Sequence, residues 1–389
     1  MSSTTDRPCA VVVGLCAHGL GIARTLTRAG IRVLALEANT ALPGVRTRCA
    51  EVRIVPDING KGLIEALLQL ATPGGESQKP VLFLTNDRMV EIVGQHAEAI
   101  SARFRLSWAN TAKRLVPLLG KDRIESRCLE TGMHYPKTVL LTDFDDAAQQ
   151  LCALRFPVIA KPTRPVSAFK TQVAASMDDF EAARARMEQS MPLVVQEFIP
   201  GDDTHIRFGA LYLDAGRVLA RFEGRKLRSR PMGHTTIAIP EPNDEIHALA
   251  LQFFEGLNLS GPVSLELKQA PDGQQWVIEP TVGRTDFWAE LCVANGVNLP
   301  LIEYCSTTGS AIPPISPCSR NLWVNGERDP GAIPWLVWNA PGHLLGHHLN
   351  GVYFDLADRG PFWVALTRFL SAIPLRAVRK ATRLVTGNA

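Results

Sequence analysis

The stretch Gly261–Leu291, GPVSLELKQAPDGQQWVIEPTVGRTDFWAEL, decides how the chain is read. Val263, Leu265 and Leu267 alternate with Ser264, Glu266 and Lys268, the period-2 pattern of a half-buried strand. Pro271-Asp272-Gly273 is turn chemistry, and Trp276-Val277-Ile278 resumes an apolar strand. The segment is therefore expected to be a β-hairpin leading into a helix. A two-residue loop at Asp272-Gly273 sets Leu267 opposite Ile278, Val263 opposite Val282, Ser264 opposite Thr281 and Glu266 opposite Glu279. A three-residue loop, which suits Pro271 in a type I turn, sets Glu266 opposite Ile278 and Leu265 opposite Glu279. The first register keeps like with like and is preferred.

Two carboxylates directly opposite on antiparallel strands lie roughly 5 Å apart at Cβ and repel each other. A hard divalent cation shared with phosphate oxygens makes such a pair favourable, and Mg²⁺ is the usual case. The rival is a polar sheet face with both glutamates in solvent. Other stretches bear on the choice. Phe156–Pro162, FPVIAKP, ends a buried apolar strand on Lys161, which must find an anion or carry a large desolvation cost. Leu193–Asp203 runs an apolar strand into an acidic turn. Gly224–Thr236 packs Arg225, Lys226, Arg228 and Arg230 into what reads as a basic loop, where a guanidinium suits a phosphate or a carboxylate.

The bulk numbers narrow the classes. A chain of 389 residues suits two or three lobes. With 46% hydrophobic and 20% charged residues it has the means to bury a sizeable core. A net charge of +3 is too small to argue for nucleic acid. The eight cysteines form no CxxC pair, which disfavours structural zinc or a disulfide framework and fits reduced thiols in a cytoplasmic protein. Neither a signal peptide nor a membrane span is expected.

The N-terminus opens as βαβ. Cys9–Val13 is a strand, Gly14-Leu15-Cys16-Ala17-His18-Gly19 a glycine turn into a helix, and Ile31–Leu36 a second strand ending at Glu37. Three readings stand here. One is a dinucleotide fingerprint, with Glu37 as the ribose acid but Cys16 in the second glycine place. One is a tight turn with close helix packing. The third is given by the family below. Asn86 and Asp87, at the end of the strand Val81–Thr85, are expected to cap a helix.

GPVSLELK…DGQQWVIEPTVGR resembles the metal-binding end of the ATP-grasp carboxylate–amine ligases: a glutamate, a hairpin, then Glu-x-Asn. Thr281 stands where that pattern has Asn, and Arg284 falls one place after the expected arginine. The resemblance covers roughly residues 80–310. It implies that Lys121 and Lys161 contact ATP phosphates. It places Gln196 and the backbone of Glu197, Phe198 and Ile199 at the adenine, and Asp203 at the ribose. It implies Mg²⁺ on Glu266, Glu279 and Thr281. Lys226 and Arg228 are expected at the γ-phosphate or a substrate carboxylate, and Arg284 is expected to offset charge in the transfer. The lid segment 163–170 has no glycine, with Arg164 and Lys170 as charged substitutes. The family's N-terminal lobe starts in this same way and binds a substrate without NAD.

The expected fold is α/β, with α+β in the C-terminal lobes: a Rossmann-like N-terminal lobe (1–118), then a two-lobed ATP-grasp fold with small lobe 119–195 and large lobe 196–310. Residues 311–389 are expected as an extension. Its basic amphipathic stretch, 360–380, has two readings: contact with an anionic membrane surface, or a helix packed on the body. The expected activity uses ATP and Mg²⁺ to activate a small-molecule carboxylate as an acylphosphate and join it to an amine, releasing ADP and phosphate. A homodimer is allowed. The rivals are an NAD-dependent oxidoreductase and a degenerate ATP-binding module without turnover.

Overall fold

Three sheets carry the chain in the computed structural model, which describes residues 7–71, 78–163, 171–230 and 234–371. The first is parallel. Strands β1 (Ala10–Val13), β2 (Val33–Glu37), β3 (Glu51–Ile54) and β4 (Val81–Leu84) lie in the order β3-β2-β1-β4. β1 and β4 are apolar at every position and fully buried, as strands covered on both faces must be. The second sheet is antiparallel, β5 (Thr138–Leu141), β6 (Val158–Pro162), β7 (Gln172–Ala174) and β8 (Leu193–Glu197) in the order β5-β8-β6-β7.

The third sheet has seven strands: β9 (Ile206–Asp214), β10 (Arg217–Arg230), β11 (His234–Pro240), β12 (Gly261–Gln269), β13 (Gln275–Val282), β14 (Asn321–Val324) and β15 (His348–Gly351). Their order is β13-β12-β9-β10-β11-β14-β15. The segment read as a basic loop is instead, over residues 224–230 and 234–236, the end of β10 and the start of β11. Arg225, Lys226, Arg228 and Arg230 therefore sit on a strand. The extension is likewise more than a tail, because β14 and β15 complete this sheet.

Both hairpin registers weighed above occur, in different halves of the same hairpin. Near the tip, Gln269 pairs with Gln275, Lys268 with Trp276 and Leu267 with Val277, the three-residue-loop register. Beyond it, Glu266 pairs with Glu279, Ser264 with Thr281 and Val263 with Val282, the two-residue-loop register. Ile278 is the extra residue between them, a β-bulge. Bulges re-aim side chains. Here Val277 and Val282 both reach the core, while Ile278 and Glu279 line a cavity.

The extension is also clamped to the first lobe. The buried Arg24 donates Nε–H to Asp358 Oδ2 at 2.9 Å, and its Nη atoms reach the carbonyls of Val352, Tyr353 and Asp358. Asp358 also accepts from Thr47 Oγ1 (2.7 Å) and the Arg48 amide (2.9 Å).

Candidate active site

The three sheets converge on a cavity of about 760 Å³. β6 and β8 bring Lys161 and Gln196, and the following turn brings Glu197, Phe198, Ile199 and Asp203. The large sheet adds Lys226 from β10, Glu266 and Lys268 from β12, and Glu279 and Thr281 from β13; Arg284 and Asp286 follow directly. Thr85 and Asn86 enter from the first lobe. The fold thus gathers residues that the chain spreads over about half its length.

Arg228 is the expected site residue placed elsewhere. Its Nε–H donates to Asp329 Oδ2 at 2.6 Å, and its guanidinium lies over the Trp335 ring. Two irregularities in the β10–β11 pairing flank it and turn its side chain away. Arg230, on the same strand, lines the cavity instead and bonds the Arg328 carbonyl. Lys121 begins the helix Lys121–Thr131, but its side chain lies outside the described residues. So do Arg164 and Lys170 of the lid segment, and the basic end 374–380.

The glutamate pair does meet a cation, and it is one of the chain's own. Lys226 Nζ donates to Glu266 Oε2 at 2.7 Å, both groups being about 5% exposed or less. Burial pushes the Glu266 carboxyl up to about 7, against the pull of Lys226 and with the push of Glu279 and Asp286. Burial also opposes the charge on Lys226, but those three carboxylates outweigh it and raise the ammonium. Above about 7 Glu266 is ionised and the ion pair holds, because one ammonium answers several carboxylates at charge-assisted hydrogen-bond distance.

Asp286 is the residue that reading the sequence missed. Its Oδ2 accepts from Thr281 Oγ1 (3.2 Å) and Ser264 Oγ (3.5 Å), and its Oδ1 accepts from the Phe287 amide (2.7 Å). The Thr281 hydroxyl, expected on the metal, therefore has its proton on Asp286. Arg284 bonds Asp87 Oδ1 at 2.7 Å and lies 3.9 Å from Asp286. Asp87 thereby ties the first lobe to the hairpin. Asn86 caps the helix Asp87–Gln95 as expected, accepting from the Met89 amide.

Gln196 has a different task from the one expected at the adenine. Its Oε1 accepts from Lys161 Nζ at 3.1 Å, and its Nε2 donates to Tyr135 and Thr138, both at 2.9 Å. It holds the lysine on the cavity wall. The Glu197 and Phe198 amides are engaged by the carbonyls of Lys137 and Pro157. Asp202 accepts from Thr204 and His205, while its neighbour Asp203 faces the cavity. Lys268, another residue given no role above, donates to the Gly201 carbonyl at 2.6 Å and lies over the Phe198 ring. It braces the turn after β8.

The glycine turn of the first lobe takes the close-packing reading. Glu37 accepts from the amides of Leu15 (2.6 Å), Ala38 and Asn39, so its oxygens hold the turn. A Cβ on Gly19 would lie 1.8 Å from the Gly14 carbonyl oxygen. This glycine lets the helix meet the turn, and Glu37 is not presented to a ribose.

Three carboxylates, Glu266, Glu279 and Asp286, face two cations, Lys226 and Arg284, across this corner. Among the described residues no three acidic, His or Cys side chains form a cage able to hold a metal alone. Two carboxylates that leave the remaining positions to water and phosphate are the donor set Mg²⁺ commonly takes. The corner fits such an ion.

No family model matches the chain. It is 24% identical over 315 residues to a D-aspartate ligase of Enterococcus faecium (strain Aus0004), covering 74% of each chain. Among solved structures it resembles an N5-carboxyaminoimidazole ribonucleotide synthetase in an ADP complex, with TM-score 0.67, 14% identity and 87% of each chain covered. It also resembles the biotin carboxylase domain of the Hydrogenobacter thermophilus 2-oxoglutarate carboxylase, a dimer solved with MgADP, ADP and bicarbonate, with TM-score 0.62, 13% identity and 80% and 73% covered. Among the described residues no helix is long and apolar enough to cross a membrane. The three-sheet architecture, the cavity between the sheets and these likenesses agree: the chain has a two-lobed ATP-grasp fold behind a parallel α/β lobe.

Proposed function

We propose that the cavity binds ATP with Mg²⁺ and that the protein activates a substrate carboxylate and joins it to an amine. The observation that carries this reading is the cross-strand pair Glu266–Glu279 on the wall of the cavity that also presents Lys161. The substrate carboxylate takes the γ-phosphoryl group and ADP leaves. The amine nitrogen then bonds the acyl carbon, phosphate departs with the C–O electron pair, and the nitrogen loses a proton. No protein nucleophile is required.

Glu266 and Glu279 would hold the Mg²⁺, which when bound neutralises charge on phosphate oxygens. Lys161, fixed by Gln196, supplies positive charge to the phosphates, and Lys121 is assigned the same task. Asp203 is assigned to the ribose, and the Glu197–Ile199 turn to the adenine. Lys226 holds Glu266 paired in the ligand-free protein and would supply positive charge to the transferred group. Arg284, oriented by Asp87, offsets charge during transfer. Positioning and electrostatics are what phosphoryl transfer asks of a protein. Asp286 positions rather than ligates: it accepts from the Thr281 and Ser264 hydroxyls, which would leave the Thr281 oxygen lone pairs available to the ion.

The likeness to a D-aspartate ligase makes acidic amino acids the first acids to test. The decisive experiment is an ADP-release screen pairing D- and L-aspartate, other amino acids and sugar acids with amines. ADP formed only when acid and amine are both present supports the reading. Thermal protection by NAD(P), with no ADP from any pair, refutes it. The reaction belongs in the cytoplasm, where ATP is supplied. A homodimer is the working assembly, to be checked by sedimentation. Exposed Trp338, Leu345, Phe354 and Trp363 support a peripheral contact between the extension and an anionic lipid surface. Failure to co-sediment with phosphatidylglycerol vesicles would exclude that contact.

A further inference from the structure

A second chamber, of about 570 Å³, adjoins the first cavity and shares Cys16, Phe287 and Arg328 with it as lining residues. Its far side is built by the extension: Glu327, Tyr353, and Ala365 and Arg368 on the helix over 360–371. These parts are held in place. Tyr353 donates its hydroxyl to Glu327 Oε2 at 2.7 Å. Arg368 lies 3.7 Å from Glu327 Oε1 and donates to the Ala41 carbonyl at 3.1 Å. The Arg24 guanidinium grips the Val352 and Tyr353 carbonyls.

We infer that this chamber receives the amine-bearing substrate, and that the substrate is larger than a free amino acid and carries a carboxylate of its own. The inference rests on the ligase reading above and adds to it the second substrate's place and class. The activated carboxylate must lie with the phosphates beside Glu266 and Glu279. The attacking nitrogen must come within about 3–3.5 Å of it. The rim of Cys16, Phe287 and Arg328 common to both chambers is where two ligands, one in each, would meet.

Size and charge define the class. Volumes of about 300–1,000 Å³ suit ligands of drug-like size, and one amino acid fills only part of such a space. Arg328 and Arg368 match a carboxylate in fork geometry, and Glu327 attracts the incoming ammonium. Because the walls come from residues 327–368, this specificity belongs to the extension, beyond the nucleotide-binding lobes.

The test uses the full chain with the acid that gives most ADP in the screen. Three amines compete: hydroxylamine, which needs no chamber, triglycine, and triglycinamide, which lacks the carboxylate. In Ala365→Trp, which fills the chamber, the ratio of triglycine product to hydroxamate should fall at least tenfold. In Arg368→Glu, a half-exposed position whose fold is checked by circular dichroism, the preference for triglycine over triglycinamide should fall about tenfold. Wild-type ratios in both variants overturn the inference. Hydroxamate and peptide product falling together in Arg368→Glu also overturn it, since the chamber would then hold the acid. Wild-type protein that makes hydroxamate but no product from either peptide overturns the ligand class. Absence of hydroxamate with every acid is a different failure, that of the ligase reading itself.

Discussion

Two buried ion pairs in this molecule share their chemistry and differ in everything around them. Arg24–Asp358 joins the first lobe to the extension. Both oxygens of Asp358 have protein donors, and Arg24 reaches three backbone carbonyls as well. Lys226–Glu266 has one contact of 2.7 Å, with Glu279 and Asp286 close by and Arg284 as a further cation beside them. The first pair is closed. The second is a corner with surplus negative charge, ready to exchange a proton or accept a cation. A buried ion pair is thus structural or functional according to how fully its neighbours satisfy it.

The largest expected effect lies on the closed pair. Asp358→Ala strips buried Arg24 of its 2.9 Å partner and leaves Asp355, 3.6 Å away, as a remaining carboxylate; it should cost about 3 kcal/mol of unfolding free energy, read as a drop in the urea midpoint. A loss below about 1 kcal/mol would mean that the extension is not clamped there.

On the open pair the effect should move from stability to activity. Glu266→Gln keeps the shape, and Glu279 and Asp286 still answer Lys226. ADP release should fall by on the order of 10²-fold, with unfolding free energy changed by about 1 kcal/mol or less. Wild-type turnover at low Mg²⁺ would sink the metal reading. Destabilisation as large as that of Asp358→Ala would erase the contrast between the pairs.

Proton linkage separates the pairs next. A carboxyl raised by burial is protonated in the native state while the unfolded chain has already released its proton. Its stabilising contribution is present below its ordinary carboxylate range and is lost as pH rises through the raised value. Glu266 and Glu290 are raised to about 7 and Glu303 to about 8, all by burial first. The ligand-free protein should therefore lose stability as pH rises from the ordinary carboxylate range to about 8. Glu303→Gln, which retains a bond to Ser107, should remove part of that slope without touching ADP release. Because the ion requires ionised Glu266, the Mg²⁺ midpoint of activity should fall as pH rises through about 7. A midpoint independent of pH would show that Glu266 is not a ligand.

The smallest effect belongs to Thr281→Asn. Its amide can still donate to Asp286 while its carbonyl faces the ion, so the Mg²⁺ midpoint should fall by roughly threefold or less. A raised midpoint would show that the Thr281–Asp286 hydrogen bond matters more than the ligand at that place.

Much of the site was legible because its residues lie in short local patterns. Lys161 ends an apolar strand, and such a strand dictates where its last polar group emerges. Glu266 and Glu279 lie close enough to a turn that counting from it finds their pairing. The tip was misjudged because counting assumes a regular ladder, and the bulge at Ile278 combines the two registers. Arg228 was misplaced for a similar reason: irregular pairing around it changes which face it occupies. Gln196 was assigned by position in a motif, whereas its amide is engaged on both sides by neighbours from other segments.

The sequence by itself determined the βαβ start, the glutamate hairpin and the order of the cationic and acidic stations along the chain. These follow from periodicity and turn chemistry, which act over a few residues. Only the tertiary structure decided that Lys226 neutralises Glu266, that Asp286 captures the Thr281 hydroxyl, that Glu37 holds its own turn, and that residues 321–371 close the large sheet and wall a second chamber. The physical reason is that charge pairing and burial depend on which distant segments meet, over separations of 40 residues for Lys226–Glu266 and 334 for Arg24–Asp358. Local pattern carries no record of such meetings.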